Sequence, residues 1–145
     1  MSAQVVREIA KVAFFDAVEM LAIIETLEAS NTTAAQAAVT AARTVPVAMY
    51  IRAALWSRLL SIVTRAYARS RPGDLHAQHA FDLLIDPTVK PEIVALGGDV
   101  STLNAAEALW AKCRADHRLP SIHDYRNKQI AHWGTQNHPS PIIND

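Results

Sequence analysis

The chain has 145 residues, with 14 basic and 14 acidic side chains that give a formal net charge of zero. This length suits a single domain, and a hydrophobic fraction of 50% excludes a chain that is disordered overall. Because there is no global positive field, a nucleic-acid site would have to be a local basic cluster. The lone cysteine, Cys113, cannot form an internal disulfide, so we expect a reducing compartment and a packing role for the thiol.

The N-terminal segment shows no signal-peptide pattern, and charged residues interrupt its apolar stretches. No run of 18 apolar residues occurs in the sequence, so we expect no membrane span. These features predict a cytoplasmic protein.

The first half of the sequence predicts long helices. Ser2 to Ala29 contains no glycine or proline, and its apolar residues recur at spacings of three and four. This pattern predicts one helix with a broad apolar face, lying deep in a bundle. Thr32 or Thr33 is suited to cap a second helix that extends to about Arg69, and Pro46 should kink or restart that helix.

The second half predicts shorter helices, which we assign from caps and helix breakers to residues 75–85, 91–97, 101–118 and 121–134. The predicted N-caps are Asp74, Ser101 or Thr102, and Ser121. No segment shows the alternation typical of a strand. We therefore predict an all-α bundle of four or five helices in one domain, residues 1–134, followed by a loose proline-containing tail, 135–145.

The predicted last helix contains the sequence YRNKQIAH, in which Arg126 falls on the same side as Ile122 and Ile130. Burying a guanidinium among apolar residues without a partner costs on the order of several kcal/mol. One interpretation is a structural ion pair between Arg126 and Asp16 or Glu19. The other is that Arg126 has a function.

His132 follows Arg126 after five intervening residues. On an ideal α-helix the two side chains are about 120° apart, so they do not share one face. A two-fold dimer through this helix would allow Arg126 of one subunit to approach His132 of the other.

The order arginine, polar residue, then histidine resembles the signature of the HEPN superfamily, the small helical domains of many prokaryotic toxins. Arg126, Asn127 and His132 carry this resemblance. The segment AALWSRLLSIVTRAYARS is similar to the central helix of the abortive-infection branch of that superfamily. The resemblance implies a homodimer that cleaves RNA without a metal ion or other cofactor, in a toxin–antitoxin or phage-defence setting, with a cognate antitoxin as a further partner.

The resemblance also implies a role for each residue of the motif. Arg126 would bind the phosphate with two hydrogen bonds, and His132 would transfer protons, since an unperturbed histidine has a pKa of about 6.5. Asn127 would hydrogen-bond the phosphate or orient the histidine. Some members carry a tyrosine two residues after the histidine that a partner enzyme modifies, and this sequence has Gly134 there.

Four further side chains are candidate RNA contacts. Lys128 and Tyr125 lie beside the motif, and Arg58 and Arg65 lie on one face of the second helix. A solvated helix face is the alternative interpretation of the two arginines.

A different candidate site combines His76, His79 and Asp82, whose spacing of three can place ligands for a metal on one helical face. The alternative is a set of solvated polar residues in a first helical turn, and we predict no metal site. Trp56 and Trp110 occupy apolar helical positions typical of a core.

Two other functions are alternatives to the ribonuclease: a HEPN-like binding or assembly module without catalysis, and a helical sensor of a small ligand.

Overall fold

The computed structural model describes residues 2–69, 71 and 73–130, and every regular element in these ranges is helical. The predicted all-α class is therefore confirmed. The helices are α1 (Ser2–Ser30), α2 (Thr33–Ala41), α3 (Val45–Ala66), α4 (Ala77–Leu83), α5 (Val89–Ala95), α6 (Val100–Arg114) and α7 (Leu119–Tyr125), followed by a π-helical turn, Arg126–Ile130. The described ranges thus contain seven α-helices, where the sequence predicts a bundle of four or five. Residues 131–145, which include the predicted tail, lie outside the described residues.

The N-terminal helices follow local signals that the sequence carries. α1 is one uninterrupted helix, and the Thr32 hydroxyl accepts a hydrogen bond from the Ala35 amide to cap α2. Pro46 lies in the first turn of α3, where an N–H has no helical partner in any case. The proline therefore restarts the helix, after a connector in which Arg43 takes a left-handed φ of 55°.

The start of α4 differs from the prediction. His76, and not Asp74, is its N-cap, because the His76 ring accepts a hydrogen bond from the His79 amide at 3.4 Å. Asp74 instead accepts from the Arg71 backbone amide and lies 3.2 Å from His76 Nε2. Asp74 therefore holds the turn before α4 and supports the ring that caps the helix.

The N-caps of α6 and α7 also differ from the prediction. The Asp99 carboxylate accepts the Thr102 amide and the hydroxyls of Ser101 and Thr102, so Asp99 caps α6. The two predicted caps are thus donors within the first turn. α7 begins at Leu119, with proline in its first turn, and Ser121 lies inside the helix.

The core consists of two small clusters on α1. Near the N-terminus, Val6 and Ile9 pack with residues of α4 and the first residue of α5. Toward the C-terminus, Ile23 and Leu27 pack against Ile62 of α3. α1 is thus the element to which both halves of the fold attach.

A stack of three aromatic rings joins the end of α3 to α4 and α6. The Trp110 ring lies between Tyr67 and Phe81, with centroid distances of 4.6 Å and 4.7 Å and nearly parallel planes. Burial first, and then a hydrogen bond with Cys113, raises the pKa of Tyr67 to about 12. Both faces of Trp110 are covered, which fits the predicted packing role of this tryptophan and of the cysteine.

The prediction that α1 lies deep in a bundle is wrong. α1 packs on one side only, and Phe14, Val18 and Leu21 are exposed on the other. Trp56 of α3 is also 49% exposed, unlike the core residue that the sequence predicts. Among the described residues, exposed large apolar side chains outnumber buried ones, which is unusual for an isolated soluble domain.

α3 is the one helix of the described ranges that is long and apolar enough to cross a membrane by length and composition alone. Its mean hydropathy reaches 1.3 over an 18-residue window, and the expectation that the chain has no membrane span stays a prediction. Arg58 and Arg65 of this helix form ion pairs with carboxylates of α1.

Candidate active site

The predicted motif begins at the junction between α7 and the π turn, and both elements contact α3. In the π turn the backbone hydrogen bonds span five residues, which widens the helix at Arg126. The 120° offset derived from an ideal α-helix therefore does not apply across this segment. Such turns occur frequently at functional sites in other proteins.

Arg126 is half-buried at the first residue of the π turn. Its Nη1 donates a hydrogen bond to Asn127 Oδ1 at 3.1 Å. Its Nε is shielded from solvent and has no hydrogen-bond partner among the described residues. No carboxylate within residues 2–69, 71 and 73–130 forms an ion pair with this guanidinium. Arg126 thus retains hydrogen-bonding capacity that the described part of the fold does not use.

A structural ion pair of Arg126 with Asp16 or Glu19 does not form, because other arginines occupy both acids. Arg58 binds Glu19 through two parallel hydrogen bonds, Nε to Oε1 at 2.6 Å and Nη2 to Oε2 at 2.7 Å. Arg65 Nη2 contacts both oxygens of Asp16, at 2.5 Å and 2.7 Å. These pairs fix α1 to α3, and the hydrogen bond from Arg58 lowers the pKa of Glu19.

The same contacts bear on Arg58 and Arg65 as candidate RNA ligands. Both side chains are nearly half exposed and remain reachable by a phosphate. Each would have to release or share its carboxylate to bind one. Their role in RNA binding therefore stays a prediction. The structure shows that both arginines hold α1 on α3 through ion pairs.

Asn127 and Lys128 are exposed beside Arg126, and Tyr125 is 40% exposed. Lys128 Nζ lies 2.6 Å from Asp124 Oδ2, one helical turn earlier. Asp124 is not among the predicted site residues, although a spacing of four residues on a helix is the usual signal for such a pair. An exposed pair of this kind is worth little and opens readily, so Lys128 is still able to contact a phosphate.

The second half of the motif lies outside the described residues. Both His132 and Gly134 fall there. The structure thus gathers Tyr125, Arg126, Asn127 and Lys128 on one turn against α3, while the approach of Arg126 to His132 stays a prediction.

The candidate metal ligands have other partners. His76 is buried as the cap of α4, and Asp82 accepts a hydrogen bond from Gln78 at 2.5 Å. In the described ranges no group of three His, Cys, Asp or Glu side chains is arranged to hold a metal ion. His76 is also not a solvated first-turn residue, since only 8% of its surface is exposed. Its function is to begin the helix.

An open groove of about 320 Å³ lies between the end of α1, α2 and the start of α3. Its lining is mostly apolar and includes Val39, Met49 and Leu55. The groove is not lined by any motif residue that the structure describes, which separates it from the turn at Arg126.

No family model, no curated protein and no solved structure matches this chain. The resemblance to the HEPN superfamily therefore rests on the motif at Arg126, Asn127 and His132 and on the sequence of α3.

Proposed function

We propose that this chain is a HEPN-type endoribonuclease that acts as a two-fold homodimer and needs no metal ion. The observation that carries the proposal is the half-buried guanidinium of Arg126, which has no carboxylate partner among the described residues. A positive charge that is partly removed from water without an acid nearby is suited to an anionic ligand. An RNA phosphate is the anion that the resemblance implies.

Arg126 would contribute by binding the phosphate and stabilising the negative charge that develops on it. A guanidinium can donate two parallel hydrogen bonds to phosphate oxygens. The bond from Nη1 to Asn127 Oδ1 restricts the guanidinium before the ligand arrives, which reduces the entropy cost of binding. Tyr125 and Lys128 would extend the contact along the RNA backbone.

The proposed reaction uses a nucleophile that belongs to the RNA. The 2′-oxygen attacks the adjacent phosphorus, and the bond from that phosphorus to the 5′-oxygen of the next nucleotide breaks. The 2′-hydroxyl loses a proton, and the departing 5′-oxygen gains one. His132 would act as the general base for the first transfer or as the general acid for the second.

The dimer and the biological setting are part of the same proposal. Two copies joined through the last helix would place Arg126 of one subunit near His132 of the other and form one cleft. A cytoplasmic toxin or phage-defence effector, neutralised by a cognate antitoxin, is the setting that the resemblance implies.

The test is an RNA cleavage assay in the presence of EDTA, on the wild type and on His132→Ala. The wild type should produce fragments that end in a 2′,3′-cyclic phosphate, and His132→Ala should be slower by about 10²- to 10⁴-fold. DNA of the same sequence should stay intact because it lacks the 2′-hydroxyl. Cleavage that requires added Mg²⁺, or that proceeds equally well on DNA, contradicts the mechanism.

A non-catalytic assembly module is the second candidate, and the exposed apolar surface of α1 and α3 favours it. Such a protein would associate with itself or another chain and would leave RNA intact. The two candidates separate in the same assay, because an assembly module shows no cleavage that His132→Ala removes. Its association should also be insensitive to Arg126→Ala.

A further inference from the structure

The side of α1 that faces away from α3 carries a regular seam. We define the α1 seam as the residues Arg7, Lys11, Phe14, Val18, Leu21, Glu25 and Glu28. Their spacings alternate between four and three, which is the pattern of the contact positions in a coiled coil. All seven side chains are exposed. The seam is therefore a complete helix-pairing surface with no partner in the described part of the chain.

The seam is separate from the surface that α1 uses inside the fold. Ile23 is buried against α3, and it lies about 140° around the helix from Val18. Asp16 and Glu19, which bind arginines of α3, are likewise absent from the seam. A partner on the seam can thus bind without disturbing the contacts between α1 and α3.

The centre of the seam is apolar and strongly exposed. Phe14 is 64% exposed, Leu21 is 61% exposed, and Val18 lies between them. Apolar side chains of this size stabilise an interface when they leave water. Charged residues occupy both ends of the seam. They limit the apolar contact surface to its centre.

The charges divide by sign along the seam. Arg7 and Lys11 form a basic end, and Glu25 and Glu28 form an acidic end. Arg7, Glu25 and Glu28 form no ion pair with a described residue, and Lys11 pairs only with exposed Glu8, at 2.9 Å. Three of the four end charges thus have no counterpart within the described structure.

We propose that the α1 seam binds the α1 seam of a second copy of this chain, with the two helices antiparallel about a two-fold axis near Val18. In this register Lys11 lies opposite Glu25 of the other copy, and Arg7 lies opposite its Glu28. Phe14 lies opposite Leu21 in the same arrangement. A parallel pair would place like charges together at both ends, which costs free energy.

The length of the seam suits a dimer contact. From Arg7 to Glu28 the helix rises about 32 Å, so three apolar layers fit across the two-fold axis, with two charged layers at each end. Interhelical ion pairs beside an apolar seam set the orientation and the choice of partner in coiled coils. The surface is independent of the proposed ribonuclease site, and it adds an association step to any that the last helix supplies.

Reversing the charge at one end tests the antiparallel register. One variant carries Arg7→Glu and Lys11→Glu, and the other carries Glu25→Lys and Glu28→Lys. Each variant alone brings like charges together in the dimer, so its dissociation constant should rise by about tenfold or more. An equimolar mixture of the two variants brings opposite charges together again at both ends and should restore association to near the wild-type level.

The readout is molar mass by light scattering and sedimentation over a series of protein concentrations. At a protein concentration near the wild-type dissociation constant, each charge variant should have a lower average mass than the wild type, close to that of the dissociated form, and the mixture should recover the wild-type mass. The control carries Arg71→Glu and Lys112→Glu, which change the net charge equally at exposed positions off the seam. This control should associate as the wild type does.

The apolar centre is tested by Leu21→Asp, which should raise the dissociation constant by at least about a hundredfold because two copies of the side chain leave the interface. Ile85→Asp, at a position 79% exposed away from α1, is its control. Circular dichroism of each variant shows whether the fold is intact. Three results overturn the proposal: a monomeric wild type, seam variants that associate normally while folded, or a mixture no better than its components.

Discussion

Two polar clusters of this molecule each contain an arginine, and they differ in how completely their hydrogen-bonding groups are used. In the first, Arg114 Nη1 donates to Gln78 Oε1 at 2.9 Å, and Gln78 Nε2 donates to Asp82 Oδ1 at 2.5 Å. In the second, Arg126 donates to Asn127, and its shielded Nε has no partner in the part of the chain that the structure describes.

The difference separates a structural cluster from a candidate site. Groups that bond to one another inside a fold stabilise it and leave little capacity for a ligand. A shielded donor without a partner costs free energy in the unliganded protein, and a ligand can recover that cost. The sequence alone does not distinguish a structural role from a ligand-binding role for these two arginines, since both lie on helices beside polar residues.

The largest effect that this comparison predicts is on RNA cleavage by Arg126→Ala. Loss of a group that stabilises developing charge should slow cleavage by about 10²- to 10³-fold. The free energy of unfolding should change by less than about 1 kcal/mol, because no buried acid loses its partner. Single-turnover cleavage and urea denaturation measure the two quantities.

Arg114→Ala is the matched control, since it removes an arginine from the satisfied cluster. It should leave the cleavage rate within about twofold and lower stability measurably. A reversed result, in which Arg126→Ala unfolds the protein and Arg114→Ala abolishes cleavage, contradicts the distinction between the two clusters.

The second prediction concerns Gln78→Ala in the satisfied cluster. The substitution removes two hydrogen bonds between a buried amide and the exposed side chains of Arg114 and Asp82, and each bond should contribute about 0.5–1.5 kcal/mol to the free energy of unfolding. Gln4→Ala removes the same side chain from an exposed contact with Glu8 and should cost less than about 0.5 kcal/mol. Equal losses in urea denaturation would show that burial of the cluster is unimportant.

The third prediction concerns Asn127→Asp, which introduces an acid beside Arg126. Asn127→Asp places a carboxylate where the amide oxygen now accepts Nη1. The new ion pair should compete with phosphate and slow cleavage by about tenfold, since a charged acceptor binds more strongly than an amide. Asn104→Asp on α6 adds the same charge away from the motif and should leave the cleavage rate unchanged. If Asn127→Asp cleaves at the wild-type rate, Arg126 does not bind the phosphate through the Nη1 side of its guanidinium.

Local signals explain how much of the fold the sequence predicts. The extent of α1, the Thr32 cap and the restart at Pro46 depend on residues within a few positions, so their chemistry is readable along the chain. His76 and Asp99 displaced the predicted caps because several nearby polar residues compete for the same amides. Propensity alone does not decide that competition.

The tertiary features were not predictable from local signals. The pairs of Arg58 with Glu19 and of Arg65 with Asp16 join residues 39 and 49 positions apart, and only packing brings them together. The π turn at Arg126 also has no propensity signal of its own. For the candidate site, the residue types were therefore predictable from the sequence. Only the structure shows that no described acid pairs with Arg126.

The smallest predicted effect concerns Asp99, whose carboxylate is fully used but exposed. Hydrogen bonds from the hydroxyls of Ser101 and Thr102, and then from the Thr102 amide, lower the pKa of Asp99 from its ordinary 3.8 to about 2. The folded state therefore binds this proton more weakly than the unfolded state does. Its contribution to stability is complete above about pH 4 and is lost as the pH falls toward 2.

Asp99→Asn isolates that contribution, because asparagine is also a good N-cap but does not titrate. At pH 6 the variant should melt a few degrees below the wild type. As the pH is lowered from about 4 to about 2, the two melting temperatures should converge, because the wild-type carboxylate becomes protonated. Other carboxylates, among them Asp86, also have lowered pKa values, so acid weakens both proteins and only the difference between them reports on Asp99. A constant difference across this range would mean that the hydrogen bonds of Asp99 stabilise the start of α6 equally in the protonated form, and that satisfying a polar group at the surface has no electrostatic component here.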